Sequence, residues 1–236
     1  MAQVRAHEHE TGEDLCVARV PLFQGLTHNE QLEVAGVARP TRVTRGEQVY
    51  AAGSDVSQLM VVHTGRIKIT RIHADGHEQI VRVLEPGDFV GESAFLNGAR
   101  PDHFAVALEP GSMCVFQHAD LGRLVQQHPL IGLRMLQGVS RRLDETEIRL
   151  ASAISGDVSS RLAGYLVSLP GRHVDSTLEV RLPLAKKDVA SLLDTTPESL
   201  SRQLRRLQDA GVITQEAGGR IMIRDVDGLM ELSAKG

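Results

Sequence analysis

The chain has 236 residues, 42% of them hydrophobic, enough for a sizeable core in one large domain or two small ones. No apolar run approaches the roughly 20 residues of a membrane-spanning helix, and the opening MAQVRAHEHETGED is polar, unlike a signal peptide, so a soluble cytoplasmic protein is expected. Two cysteines are too few for a disulfide scaffold or a four-thiolate metal site in one chain, and a net charge of −4 argues against nonspecific binding to polyanions.

After an N-terminal arm (residues 1–19), residues 20–118 read as short strands separated by glycines: Gly46, Gly53, Gly65, Gly76, Gly87, Gly91, Gly98 and Gly111. Alternating apolar runs between such turns predict a sandwich or barrel, and 20–127 is taken as a sensor β-barrel. In RIKITRI, period 2 puts Ile67, Ile69 and Arg71 on one face and Lys68, Thr70 and Ile72 on the other. Asp75-Gly76 is a strong hairpin signal.

From His128-Pro129 the pattern turns helical, and 128–154 reads as one long helix. Leu136, Val139, Leu143, Thr146, Leu150 and Ala153 form a narrow seam flanked by charge, as a parallel dimer helix requires. A helix lying on the barrel would give the same pattern. Gly156-Asp157 breaks it, and 155–236 follows as helix, turn and strand, helix, helix, and a hairpin around Gly218-Gly219. That order predicts a C-terminal winged helix-turn-helix. The fold class is therefore α+β.

In the second helix of the pair, from about Pro197 to Ala210, Thr195 or Thr196 can cap the N-terminus. Helical spacing turns Leu200, Leu204 and Leu207 inward and Glu198, Ser201, Arg202 and Arg205 outward. A glutamate accepts from cytosine N4, an arginine forks onto guanine, and a serine serves base or phosphate. Glu198, Ser201 and Arg202 are the candidate base readers; Arg205, Arg206 and the wing residues Arg220 and Arg224 suit phosphates. The acidity lies elsewhere: residues 1–154 hold 15 Lys+Arg against 19 Asp+Glu, whereas 155–236 hold 11 of each.

A glycine-punctuated barrel, a dimer helix and a winged helix together resemble the CRP/FNR family of bacterial transcription regulators, over essentially the whole chain. GDFVGESAFLNG resembles the family's barrel motif, and Glu198-x-x-Ser201-Arg202 is similar to the FNR-type recognition signature. The resemblance implies a homodimer on a palindrome close to TTGAT, four spacer bases and ATCAA. Glu198 and Arg202 would read the G·C pair and Ser201 the neighbouring thymine. RNA polymerase is an implied partner. Pro197 stands where the CRP branch has an arginine, so a TGTGA-type site is not expected.

Cyclic-nucleotide-binding relatives carry a Gly-Glu pair followed by Arg-Ser or Arg-Thr. Gly91 and Glu92 match the first pair, but Asp102 and His103 occupy the second; Arg100 would substitute only after a two-residue shift. An aspartate repels a phosphate and no guanidinium faces it, so cyclic nucleotide is not the favoured ligand; Gly91, Glu92, Arg100 and His103 are the effector-pocket candidates. Cys114 and Cys16 align with cysteines of the FNR branch whose other cluster cysteines are missing, so no iron–sulfur cluster is expected. The resemblance, to FNR-like proteins of some Gram-positive bacteria, implies a reversible Cys16–Cys114 disulfide; an ordinary buried Cys114 and a free arm thiol is the other open reading. Haem ligation through His73 and His77, flanking the Asp75-Gly76 turn, is a further alternative on the same scaffold. A metal-dependent cupin-like barrel enzyme would need a His-x-His on a barrel strand. Only His7-Glu8-His9 has that spacing, in the arm, so no enzyme is expected.

Overall fold

The computed structural model describes residues 17, 20–155, 157–174 and 177–234. Contacts sort them into two units: residues up to Ile69 with Val83–Val139, and Thr70–Arg82 with Ser140 onward.

The first unit opens with helix α1 (His28–Val37). Thr27 and Glu30 form a capping box, Thr27 accepting the Glu30 N–H and the Glu30 carboxylate accepting the Thr27 N–H at 2.6 Å. The sequence reading placed only strands here; α1 escapes a periodicity argument because it buries a single residue, Val34. The strands follow as β1 (Arg39–Val43), β2 (Gln48–Tyr50), β3 (Gln58–Thr64), β4 (Ile67–Ile72), β5 (Glu78–Leu84), β6 (Phe89–Val90), β7 (Phe104–Ala107) and β8 (Gly111–Gln117). A six-residue helix, α2 (Glu92–Asn97), interrupts them, and α3 (His118–Gln127) leads to the long α4 (Pro129–Ser155).

Two four-stranded sheets result, ordered β1-β8-β3-β6 and β2-β7-β4-β5. Strand pleating explains the continuous buried run in β3, because both faces of its sheet are covered. Met60 and Val62 join Val43, Met113 and Val115 in an inner core shared with Tyr50, Ile67, Ile69 and Leu84 of the other sheet. Leu59 and Val61 face the other way, with Cys114 and Phe116, onto Val34, Leu121, Leu124, Ile131 and Met135 of the helices. In β4, Ile67 and Ile69 are buried as expected; Thr70 is buried too, while Arg71 and Ile72 are exposed. The Asp75-Gly76 turn is present, Gly76 having φ +82° and His73 N–H donating to His77 O at 2.9 Å.

In the second unit, α5 (Val158–Ser168) is capped by Asp157, whose carboxylate accepts the Ser160 N–H at 2.9 Å. Two strands follow, β9 (Gly171–Val174) and β10 (Thr177–Arg181), where the sequence reading had a turn and one strand. They complete a sheet β11-β12-β10-β9 with β11 (Ile213–Gln215) and β12 (Arg220–Ile223). Helices α6 (Lys186–Leu192), α7 (Pro197–Asp209) and α8 (Val226–Ala234) pack on it around Leu162, Leu166, Leu200, Leu204 and Ile221. The hairpin segment of this unit meets α6 through one hydroxyl: Ser191 Oγ donates to Glu78 O and accepts the Ile80 N–H, each at 2.8 Å.

Candidate nucleic-acid interface

The candidate recognition helix is α7, and its local sequence fixes both ends. Thr196 rather than Thr195 is the cap, its Oγ1 accepting the Ser199 N–H at 3.1 Å, with Pro197 in the first turn. At the far end Gly211 adopts φ +75°, so that Val212 N–H reaches Leu207 O at 3.0 Å and Gly211 N–H reaches Gln208 O at 2.9 Å. This Schellman closure requires a residue without a Cβ penalty at 211. Between the caps Leu200, Leu204 and Leu207 are buried, and Glu198, Ser201, Arg202 and Arg205 are exposed on one stripe. Arg202 Nη2 donates to Ser199 Oγ at 2.9 Å, which orients the guanidinium along the helix.

The turn between α6 and α7 is held by a residue that sequence reasoning missed. Arg161 of α5 donates from Nε to Leu193 O at 3.0 Å and from Nη2 to Asp194 O at 3.4 Å. Asp194 is in the left-handed region at φ 49°, so the turn is tight and its carbonyls face away from helical partners. No local pattern announces a partner 32 residues away. In the wing, Arg220 is exposed and paired with Glu216 at 3.2 Å, and Arg224 Nε donates to Thr214 Oγ1 at 2.7 Å. Arg205 and Arg206 are exposed on α7.

The seam residues of α4 are on the surface: Leu136, Leu143 and Leu150 are 65%, 57% and 58% exposed, with Val139 beside them. Thr146 spends its hydroxyl on Arg142 O at 2.7 Å and presents its methyl. Leu133, not anticipated from the sequence, extends the stripe by one turn. The side chain of Ala153 lies outside the described residues.

In the barrel segment, Gly91 sits at the start of α2 with φ +96°, where a Cβ would stand 2.2 Å from Gln58 O. The glycine of the Gly-Glu pair is thus required by backbone approach alone. Arg100 is exposed. His103 is engaged on both ring nitrogens, Nε2 with the Tyr50 hydroxyl at 2.8 Å and Nδ1 with the Asp102 carboxylate at 3.0 Å. Tyr50, 53 positions away and unmarked in the sequence, is brought to this segment only by the fold.

A model of the cyclic nucleotide-binding domain matches residues 40–128, and one of the Crp-like helix-turn-helix domain matches residues 160–232. The anaerobic regulatory protein of Pasteurella multocida is 31% identical over 202 residues, 84% of this chain and 72% of that one. The probable transcriptional regulator flp of Lacticaseibacillus casei is 28% identical over 92% of this chain and 98% of its own. Among solved structures, a CooA mutant from Carboxydothermus hydrogenoformans has the same fold, with a TM-score of 0.76 at 20% identity, covering 85% of this chain and 89% of that one.

The chain belongs to the CRP/FNR family of transcription regulators. It is a DNA-binding regulator and not an enzyme. Within this CRP/FNR chain, Cys114 lies on β8 opposite Val61, 2% exposed in the core between sheet and helices. Cys16 and the arm histidines His7 and His9 lie outside the described residues. His73 and His77 stack at 6.1 Å, His73 Nε2 bonding Gln79 at 3.0 Å and the His77 N–H donating to Asp75. No described helix is long and apolar enough to cross a membrane.

Proposed function

We propose that the protein acts in the cytoplasm as a homodimer on a palindrome close to TTGAT, four spacer bases and ATCAA, and recruits or blocks RNA polymerase there. The observation that carries the reading is the division of α7, three buried leucines opposite an exposed Glu198, Ser201 and Arg202. Glu198 and Arg202 offer the acceptor and the fork that a C·G pair presents in the major groove, and Ser201 stands beside them for the thymine. Arg205, Arg206, Arg220 and Arg224 supply phosphate contacts, with Glu216 competing for Arg220. Dimerisation is supported by the exposed Leu136, Val139, Leu143, Thr146 and Leu150, because a contiguous apolar stripe on a helix is stable in water only when covered.

For the input, a Cys16–Cys114 disulfide is the reading we adopt. Cys114 is buried in the core cluster that also holds Val17. Oxidation would join the two Sγ atoms, releasing two protons and passing two electrons to a peroxide, itself reduced to water. Cyclic nucleotide is disfavoured by the aspartate and the engaged histidine at 102 and 103.

The test is binding of the full chain to labelled duplexes carrying TTGAT, TGTGA or scrambled half-sites, reduced and peroxide-treated, with and without cyclic AMP. The expected result is preference for the TTGAT palindrome by about 4 kcal/mol or more over scrambled DNA and a change on oxidation that Cys16→Ser removes. Equal affinity for all three duplexes overturns the base assignment; a redox response that survives Cys16→Ser overturns the switch.

A further inference from the structure

Strands β1 and β2 each form one edge of a barrel sheet, and a half-open cavity of about 200 Å³ lies against them, lined mostly by residues of β1, β2, β3 and β8. Strand register decides what reaches it. Arg39 lies opposite Val115 and Thr41 opposite Met113, and Val115 in turn lies opposite Met60. Met60, Met113 and Val115 are buried members of the inner core, and all three line the cavity. Because residues 39, 41 and 43 share one face of β1, that face runs from apolar Val43 to a hydroxyl at Thr41 and a guanidinium at Arg39. Val43 is buried, whereas Thr41 and Arg39 are exposed at the rim, so packing does not require a cation there.

Among the described residues the acid on the rim, Glu47, makes no ion pair with Arg39 and is tied to Thr44 instead. The Glu47 carboxylate accepts the Thr44 N–H at 2.8 Å and the Thr44 hydroxyl at 3.0 Å, bonds that hold it below the usual carboxylate range. Among the described residues no hydrogen bond or ion pair engages the Arg39 guanidinium.

We propose that this mouth binds a small organic monocarboxylate, its hydrocarbon end on Met60, Met113 and Val115 and its carboxylate on Arg39. The planar fork of a guanidinium matches a carboxylate bidentately. Two methionines make a floor that adapts to an acyl chain or a single ring. The volume is under the roughly 300 Å³ at which drug-sized pockets begin, which selects a short ligand. The site shares no residue with the Gly91–His103 segment and gives the regulator a chemical input independent of its cysteines.

The experiment uses the full chain carrying ¹³C-methyl methionine, titrated with hexanoate, hexanol and inorganic phosphate, as wild type and as Arg39→Gln. Hexanoate is expected to shift the Met60 and Met113 methyls saturably, hexanol to do so at least about tenfold more weakly, and Arg39→Gln to remove that difference, since the guanidinium–carboxylate pair is at stake. The wild-type comparison of hexanoate with hexanol stands even if the variant is unstable. No saturable shift with hexanoate, equal affinity for hexanol, or the same shifts with phosphate would overturn the proposal. An edge-guarding role for Arg39 predicts the first of these, with self-association of Arg39→Gln.

Discussion

At Gly91 the backbone conformation and the nearest neighbour both exclude a side chain, because φ is +96° and a Cβ would meet the Gln58 carbonyl oxygen at 2.2 Å. Gly91→Ala should therefore destabilise the first unit by about 2 kcal/mol or more, read from urea denaturation, without any ligand present. Arg202 is exposed and donates to Ser199 on its own helix, so Arg202→Ala should leave the melting temperature nearly unchanged. On the proposed palindrome it should cost about 1–3 kcal/mol and relax discrimination at the G·C pair. Equal weakening on specific and scrambled duplexes would remove the base-reading role. Arg66 grips Glu109 through two bonds of 3.0 Å, and the guanidinium holds that carboxyl below the usual carboxylate range. Since the folded value is the lower one, the pair stabilises the fold above the ordinary carboxylate range and the contribution is lost as pH falls through the folded value. Glu109→Gln should cost about 1 kcal/mol or less at pH 7. The difference from wild type should vanish in acid, as melting curves at a series of pH values would record.

The behaviour of α4 depends on its exposed stripe. Leu143→Lys places a charge in the middle of the seam, 57% exposed in one chain, so the isolated protomer should fold as before. Sedimentation at micromolar concentration is expected to show a monomer, and palindrome binding should fall with it, while wild type sediments as a dimer. The turn of the helix-turn-helix has a different dependence. Arg161 satisfies Leu193 O and Asp194 O from outside the motif, and Arg161→Ala leaves both without that donor. A loss of about 1–3 kcal/mol is expected in the second unit, with base discrimination unchanged in what still binds. These elements also show what was legible beforehand. The ends of α7 could be read because a Thr-Pro start and an Ala-Gly stop are local chemistry. Helix α1 could not, because its burial is one valine, and β9 was hidden because a strand is recognised by its partner, here β10.

For the whole molecule, the net charge of −4 turned out to be a poor guide to partners. The residues from Thr196 to Arg224 carry five arginines against three acids, so the basic surface is local. Affinity for DNA should fall steeply with salt, and Arg206→Ala should reduce the slope of log K against log salt by about one per substituted subunit.

Composition and periodicity by themselves determined the class, the order of barrel, long helix and winged helix, and which face of α7 is left exposed, because hydrophobic period and end-capping act within a few residues along the chain. The tertiary structure decided what depends on residues far apart. It set His103 against Tyr50, Arg161 against the 193–194 carbonyls, and Arg39 beside Met60 and Met113 at the barrel mouth. Register between strands and packing between elements bring these groups together, and a linear pattern carries no record of either.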